Sequence, residues 1–336
     1  MMGLKDYFIP KSMVYTGDYQ TIKTEFKVYQ YTPEGMTFSN TYDLSTLHKR
    51  YIQVVGLSDT LAIEKLGTDL GIDALVLEDI LNVHQRDKIE QYQNYIFGVF
   101  RVRYLKEDRI IESYMSMIMF ENMLISFHET EPEYLNQIPL LLETHKDTRN
   151  NTIDYLFYQV LDIMTDHMLD VNEWLEDKMS TIEEEIIESQ TSDQESFYLI
   201  RKHLLKLKNS VTPIYDQLVE LLDNTHLISK HNRPYFDDLL DHLRRLDLLL
   251  VQSRELTRHL LDLNMNNQSN KMNKIMTTLT LFSAIFIPLS FLTGFFGMNF
   301  VHFGILEYPQ AVGLFVGFCV IVAGVMYFIF KRSKWL

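Results

Sequence analysis

The chain has 336 residues, with 31 Lys and Arg against 45 Asp and Glu, a formal net charge of −14 and one cysteine. The acidic balance disfavours nucleic acid as a partner and is compatible with cations as partners. The single cysteine, Cys319, excludes an intrachain disulfide and a zinc site built from several cysteines.

Residues 1–150 predict a cytoplasmic αβ domain, because strand-like and helical patterns alternate along them. The polar residues 1–16 show no secretory signal pattern. The strand-like segments, rich in Tyr, Phe, Ile and Val, are residues 13–15, 24–31, 51–55, 95–104, 110–120 and 123–128. The helical segments are residues 44–49, 60–67, 73–81 and 131–143, with Asp59 and Asp73 as expected N-caps. A glycine-rich phosphate loop and a nucleophile elbow are both missing from the sequence, which makes an enzyme the weakest function class.

Residues 151–233 predict a helical hairpin. Residues 152–190 and 195–223 contain few helix breakers, and a polar turn separates them. Pro213 is a potential kink in the second helix.

A longer helical pattern follows the hairpin. It runs from Pro234 to Met298 with no Pro before Pro288 and no Gly before Gly294. An ideal helix of this length measures roughly 97 Å. A single apolar helix this long is not expected to be stable alone, so residues 234–274 predict a cytoplasmic stalk that bundles with other helices.

Two apolar runs, residues 275–298 and 311–330, predict transmembrane helices 1 and 2. Ideal helices of these lengths span roughly 36 and 30 Å, and a bilayer core is about 30 Å thick. Glu307, between the runs, is the only charged residue from 275 to 330. The sequence therefore predicts a two-span membrane protein with a large N-terminal part.

The basic residues indicate the orientation of these spans. Lys271 and Lys274 precede the first run, and the tail 331–336 is basic, while the joint 299–310 contains no Lys or Arg. Because positive flanks stay in the cytoplasm, both termini are expected inside the cell membrane, with 299–310 as an external loop.

The first span carries small polar groups along one face, at steps of three and four residues. Thr280, Ser283, Ser290 and Gly294 alternate there with Met276 and Ile287. Hydroxyl groups in hydrocarbon either bond to their own helix or line a contact or a wet path. The stripe indicates a seam between copies of the helix or a narrow pore, with a plain membrane anchor as the alternative.

Two motifs resemble the CorA family of magnesium channels. Gly297-Met298-Asn299 closes the first span, and the basic tail ends in Lys334-Trp335-Leu336. In the N-terminal part, residues 77–90 carry Glu78-Asp79 followed by His-Gln-Arg and Lys, which is similar to a stretch of the family. The resemblance implies an α+β membrane protein that is a funnel-shaped homopentamer, with the stalk helix continuing into the pore helix.

The resemblance also implies a divalent cation channel in which Gly297, Met298 and Asn299 form the selectivity filter. Mg²⁺ sheds its water reluctantly, so a ring of Asn299 carbonyl oxygens can hold the hydrated ion. Below the filter, water is expected to fill the pore beside the hydroxyl groups. The apolar positions are expected to form constrictions that close the pore when water leaves them. The expected pore-lining residues are Asn273, Met276, Leu279, Thr280, Ser283, Ile287, Ser290 and Gly294.

Regulatory Mg²⁺ is the second implied feature. Glu78 and Asp79 of one subunit and Asp238 of its neighbour match the family's carboxylates, and the resemblance implies Asp162 as a further ligand. Repulsion between close carboxylates is about 4 kcal/mol per pair at an effective dielectric near 20, and a bound cation would remove it and lock the closed form. Alternatively, Asp238 is simply part of the solvated, acidic first turn of a helix.

The external loop departs from the family pattern. Phe296 stands where many members have Tyr, and the family's Met-Pro-Glu-Leu motif is replaced by a shorter stretch containing His302 and Glu307. Glu307 can supply negative charge at the mouth, and His302 favours softer ions such as Zn²⁺, Co²⁺ or Ni²⁺. A transition-metal transporter on the same scaffold and a non-conducting, metal-sensing membrane scaffold therefore remain as alternatives. Lipids, divalent cations and further copies of the chain are the expected partners.

Overall fold

The computed structural model describes residues 13–43, 48–189, 193–298, 304 and 309–332. The described N-terminal part of the chain contains seven strands. They are β1 (Glu25–Thr32), β2 (Gly35–Ser39), β3 (Lys49–Val55), β4 (Lys88–Gln91), β5 (Ile96–Lys106), β6 (Arg109–Met119) and β7 (Met123–His128). They form one mixed sheet in the order β2-β1-β3-β7-β6-β5-β4, in which β3 and β7 pair in parallel and the other neighbours are antiparallel.

Two helices, α1 (Thr60–Leu70) and α2 (Ala74–Leu81), bury their apolar side chains in a core shared with the sheet. Ile63 and Leu66 of α1 and Ile80 of α2 are fully buried there. The predicted N-caps of both helices are confirmed: Asp59 accepts a hydrogen bond from the backbone N–H of Ala62, and Asp73 accepts one from Leu75.

Residues 13–15 do not form the predicted strand. Their backbone has no regular structure, and Val14 is exposed. Tyr15 is buried and its hydroxyl donates to Glu129 at 2.5 Å, while the next residue, Thr16, donates its N–H to the carbonyl of Leu81 at the end of α2. The aromatic pattern here therefore reflects packing against the domain rather than a place in the sheet.

Other predictions for this domain need smaller corrections. The segment 131–143 is divided into a single 3₁₀ turn (Glu133–Leu135) and helix α3 (Gln137–Thr144), which the short helix α4 (Lys146–Asn150) follows. Most of the helix predicted at 44–49 lies outside the described residues, and Lys49 begins β3. Strands β2 and β4 were not predicted.

Four long helices complete the chain: α5 (Ile153–Ser189), α6 (Gln194–Asn224), α7 (Arg233–Phe296) and α8 (Ala311–Arg332). Pro213 lies inside α6 and Pro288 inside α7 without ending either helix. The predicted order of an αβ domain, a helical hairpin, and a stalk that continues as one helix into the first of two apolar segments is confirmed.

The chain forms two compact units, residues 1–181 with 193–258, and residues 182–192 with 259–336. In the first unit α6 is joined to the sheet, because Arg103 of β5 donates to the hydroxyl of Ser210 at 2.8 Å. The first part of α7 is held by both arms of the hairpin. Asp247 pairs with Lys208 of α6 at 3.1 Å, and Ser253 donates to Glu176 of α5 at 3.1 Å.

In the second unit, the C-terminal part of α7 and helix α8 are each long and apolar enough to cross a membrane. No residue of either apolar stretch is buried within the described chain. The rings of Phe296 at the end of α7 and Phe315 on α8 lie 5.0 Å apart between centroids. An aromatic side chain at position 296 thus contacts the second span without needing the hydroxyl of a Tyr.

Candidate functional site

The predicted metal ligands fall into two groups within one chain. Glu78 and Asp79 lie on α2, where Glu78 is exposed and Asp79 is partly buried. Asp162 lies on α5 and Asp238 near the start of α7, and both face the same side chain, His242.

Asp79 already has a cationic partner in its own chain. Lys88 Nζ lies 2.7 Å from Asp79 Oδ2 and 2.8 Å from Glu90 Oε1, and the amide of Gln85 also donates to Asp79. Burial alone would lower the pKa of Lys88, but the bonds to Asp79 and Glu90 outweigh it and raise that pKa. A cation that binds Asp79 must therefore compete with the Lys88 ammonium.

A tighter cluster joins α5 to α7. One ligand atom each from Asp162, Asp166 and His242 lies within 4.8 Å of the others. His242 Nδ1 is 3.8 Å from Asp162 Oδ1, and His242 Nε2 is 3.9 Å from Asp238 Oδ2. The hydroxyl of Tyr158 donates to the other oxygen of Asp162, Oδ2, at 3.2 Å.

The surroundings of Asp162 disfavour the charged form of its carboxyl. Its Oδ1 and the Nδ1 of His242 are both inaccessible to solvent, and neither has a hydrogen-bond partner among the described residues. Burial, together with repulsion from Asp166, raises the pKa of the Asp162 carboxyl, while the Tyr158 hydroxyl and His242 oppose the shift. A positive charge placed among these groups would offset the free-energy cost of ionising Asp162 and lower the pKa of its carboxyl.

The sequence analysis did not select Asp166 or His242. His242 lies 80 residues beyond Asp162 in the sequence and meets it only in the folded structure. The spacing of these residues in the sequence nevertheless indicated that they share helix faces. Asp162 and Asp166 are four residues apart on α5, and so are Asp238 and His242 on α7, which puts each pair on one helix face.

Within the single chain, most of the predicted pore-lining stripe is exposed. Asn273, Met276, Leu279, Thr280, Ile287, Ser290 and Gly294 are exposed, and Ser283 is half-buried. The hydroxyl of Thr280 donates to the carbonyl oxygen of Met276 at 2.8 Å. Bonding of this hydroxyl to its own helix leaves its oxygen free to accept hydrogen bonds from water or another helix.

Gly297 ends α7 at the expected place. Its N–H donates to the carbonyl oxygen of Thr293 at 2.9 Å, and that of Met298 donates to Phe295 at 3.3 Å. A Cβ atom at position 297 would lie 2.9 Å from the same Thr293 oxygen, so only glycine fits this helix end without a shift. The predicted filter residue Asn299 and the loop residues His302 and Glu307 lie outside the described residues.

Comparisons with known proteins agree with this architecture. The cobalt/magnesium transport protein CorA of Thermotoga maritima is 30% identical over 339 residues, which cover 97% of this chain and 96% of that protein. The zinc transport protein ZntB of Yersinia enterocolitica is 28% identical over 187 residues, 53% of this chain and 55% of that protein.

The fold is also that of a solved structure, the complete CorA magnesium transporter from Methanocaldococcus jannaschii. The match has a TM-score of 0.79 at 22% identity and covers 94% of this chain and 100% of that one. The family model described as "CorA-like Mg2+ transporter protein" matches residues 50–332. With two helices able to span a membrane and nearly full-length similarity to a curated member, the chain belongs to the CorA family of divalent cation transporters.

Proposed function

We propose that this protein is a homopentameric Mg²⁺ channel of the cell membrane, with both termini in the cytoplasm, and that cytoplasmic Mg²⁺ closes it. One observation carries the proposal. The single helix α7 bears Asp238 in its second turn and ends at Phe296, directly before the predicted filter residues Gly297, Met298 and Asn299. A change at the acidic end of this helix can therefore act on the conducting end.

Conduction would depend on the outer end and the polar stripe of α7. Five Asn299 side chains, one per subunit, would present neutral carbonyl oxygens to the hydrated ion, which binds without losing its water. The hydroxyls of Thr280, Ser283 and Ser290 would keep the path below wet. A divalent ion moving inward gains about 4.6 kcal/mol per 100 mV of membrane potential, which is an adequate driving force.

Gating would depend on carboxylates at the start of α7. Carboxylate oxygens are the ligands that Mg²⁺ prefers, and the buried, unbonded Oδ1 of Asp162 fits the presence of a cation nearby. A divalent cation bound among Glu78, Asp79, Asp162 and Asp238 would cancel their repulsion and favour the closed arrangement. At low Mg²⁺ the carboxylates repel, and the stalk helices are free to move apart.

A transition-metal transporter is the second candidate. The similarity to ZntB, whose name gives zinc as its cargo, and His302 in the external loop both favour it. A transport pathway for Zn²⁺ would use the same span and the same Asn299.

Ion uptake into liposomes separates these functions. We would reconstitute the full chain with a Mg²⁺-sensitive dye inside and compare it with Asn299→Ala, and repeat the assay with dyes for Zn²⁺ and Co²⁺. Mg²⁺ uptake that Asn299→Ala abolishes is the expected result. Uptake of Zn²⁺ or Co²⁺ without Mg²⁺ would select the second candidate, and no uptake of any ion would leave a metal-sensing scaffold and overturn the proposal.

A further inference from the structure

The buried side of the stalk follows a heptad repeat. Within the first compact unit, the buried residues of α7 lie at alternating steps of three and four: Phe236, Leu239, Leu243, Leu246, Leu250, Ser253 and Thr257. This is the periodicity of helices that pack side by side in a coiled coil. The side chain of Ser253 meets α5, and that of Asp247 meets α6, so the stalk packs against both arms of the hairpin.

Two pairs of polar residues interrupt the apolar packing between α5 and α7. They are Asn172 and Glu176 on α5, and Ser253 and Thr257 on α7, and the members of each pair lie one turn apart on one helix face. The side chains of Asn172, Ser253 and Thr257 are buried, with 2%, 3% and 6% of the residue exposed. All four residues belong to the same compact unit.

The two pairs are out of step by one turn. Ser253 donates to Glu176 Oε1 at 3.1 Å, while the Thr257 hydroxyl bonds back to its own helix and lies 3.0 Å from the sulfur of Met179. The amide of Asn172 donates to Glu176 Oε1 at 2.8 Å, but its buried Oδ1 has no hydrogen-bond partner in the described part of the chain. Because a thioether is a weak acceptor and an unpaired buried carbonyl oxygen is costly, this arrangement leaves the polar seam incompletely satisfied.

A slide of one turn would bring the two pairs into step. If α7 moved by about 5.4 Å toward the N-terminal end of α5, Ser253 would reach the level of Asn172, and Thr257 would reach that of Glu176. The Ser253 hydroxyl would then donate to the unpaired Oδ1 of Asn172, and the Thr257 hydroxyl to the carboxylate. A slide in the opposite direction would instead bring the apolar Leu250 beside Glu176.

The rest of the stalk packing does not oppose such a slide. The buried positions from Phe236 to Leu250 are all apolar, so a one-turn step keeps apolar side chains facing the hairpin. On the α6 side, Asp247 would leave Lys208 and Thr212, which lie 3.1 and 2.8 Å away. The side chains of Lys208 and Asp247 are 25% and 30% exposed, so water can replace their ion pair.

We propose that α7 has two axial positions on α5, one helical turn apart, and that four polar side chains form the two stops: Asn172, Glu176, Ser253 and Thr257. One-turn steps of one element past another are an established way for proteins to switch between two states. The inference goes beyond the proposed function. Because α7 continues into the first apolar segment, the step would move the pore end of the helix, but the two positions themselves require neither conduction nor bound metal.

The test measures one distance within one chain. Spin labels are attached at Ser180→Cys on α5 and Arg245→Cys on α7, both exposed positions, in the full-length protein with Cys319→Ser to remove the native cysteine. Labelled chains are diluted with unlabelled ones in detergent, so that only pairs within a chain contribute. Since Met179 contacts Thr257, the labels lie about a dozen residues apart along the helix pair, and the slide lengthens their separation by roughly 5 Å. Pulsed electron paramagnetic resonance should show two distances that differ by this amount.

Paired variants make the result specific. Asn172→Leu with Thr257→Val removes the polar partners of the second stop and should leave only the shorter distance. Asn209→Leu with Thr181→Val changes the same residue types at exposed positions and should keep both distances. Asp247→Asn removes the ion pair of the first position and should raise the fraction of the longer distance.

Two results would overturn the inference. One is a single distance in the protein with an unaltered seam, both without Mg²⁺ and with saturating Mg²⁺. The other is two distances that persist in unchanged proportion when Asn172→Leu and Thr257→Val are combined. Two distances in a protein that conducts no Mg²⁺ would support the two positions and contradict only the proposed function.

Discussion

Lys88 is the residue that most directly limits metal binding at Asp79. Its side chain is 13% exposed and that of Asp79 is 20% exposed, so solvent screens their ion pair only partly. The ammonium also lies 5.4 Å from the centre of the Phe97 ring. If Asp79 bound a divalent cation, its ion pair with Lys88 would therefore be broken, although the single chain already satisfies this carboxylate without metal.

Lys88→Gln tests this competition. Loss of the ammonium leaves the Asp79 carboxylate without its cation, and we expect the Mg²⁺ concentration that half-inhibits transport to fall about tenfold, since a hydrogen bond between charged groups is worth about 1.5–3 kcal/mol. The measurement is the current at increasing Mg²⁺ on the N-terminal side. Lys106→Gln, which removes an exposed lysine paired with Glu133 at 2.6 Å, is the matched control. An unchanged or raised Mg²⁺ concentration in Lys88→Gln would contradict the competition.

His128 makes the fold sensitive to acid. It is fully buried at the end of β7, where its ring contacts the hydroxyls of Ser126 at 2.9 Å and Tyr134 at 3.3 Å. Burial, with a smaller contribution from the charge of Lys27, lowers the pKa of His128 from its ordinary 6.5 to about 3. The ring is therefore neutral in the folded protein at pH values where it is charged in the unfolded chain.

The sign of the pH effect follows from this lowered pKa. Between about pH 6.5 and 3 the unfolded chain binds one more proton at His128, so the free energy of unfolding falls by up to about 1.4 kcal/mol per pH unit as the pH decreases. His128→Gln should remove this part of the slope, whereas His226→Gln, at an exposed position, should retain it. Denaturant unfolding at several pH values measures both slopes, and equal slopes for His128→Gln and the unaltered chain would refute the prediction.

At the scale of single elements, the backbone that ends α7 leaves no room for a side chain at Gly297. A Cβ at Gly297 would press on the Thr293 carbonyl oxygen, and overpacking of this kind costs about 1–3 kcal/mol. The end of the helix, which Met298 and Asn299 follow in the sequence, would shift.

Gly297→Ala should therefore reduce Mg²⁺ flux about tenfold or more while the protein still folds and inserts into the membrane. Gly317→Ala is the matched control on α8, since a Cβ there would meet nothing within 4 Å in the chain. Flux is measured in liposomes at equal protein content. Full flux in Gly297→Ala would show that the helix end tolerates the extra methyl group.

The sequence predicted long or strongly patterned elements well and short ones poorly. The helices α5 to α8 were predicted because apolar periodicity over 20 or more residues is a strong signal. Strand β2 escaped prediction because almost all of its five residues are exposed, which leaves no buried face to produce alternation. Strand β4 has four residues and one buried side chain, Ile89, and depends on β5 and on Gln217 of α6 for its hydrogen bonds.

The candidate site was only partly predictable for a related reason. Asp162 and Asp238 were selected through family resemblance, and the structure places both beside His242. The distance of 80 residues along the chain between Asp162 and His242 hides their contact from any local pattern. The contact forms because α5 packs against α7 in the folded chain. The rings of Tyr158 and Tyr235, whose centroids are 5.4 Å apart, are part of that packing.

At the scale of the whole molecule, the long helix exposes apolar side chains ahead of the membrane segment. Several large apolar side chains of α7 that precede the membrane segment are exposed: Leu248, Val251, Leu256, Leu263, Met265 and Met272. Large apolar side chains exposed to water in this number are typical of a surface covered by another subunit. This exposure supports the proposed assembly, in which five copies of α7 would surround one pore and adjacent subunits would share the carboxylates.

The most direct test of the account is the effect of cytoplasmic Mg²⁺ on current through the assembled channel. In a planar bilayer, Mg²⁺ is held constant on the loop side and raised on the N-terminal side, with Asp238→Asn compared with the unaltered chain. Asp262→Asn, at an exposed position on the same helix, is the control. We predict that current falls with rising Mg²⁺ in the unaltered and control proteins and persists in Asp238→Asn. Equal inhibition of all three, or no Mg²⁺ current at all, would contradict a helix that links metal sensing to conduction.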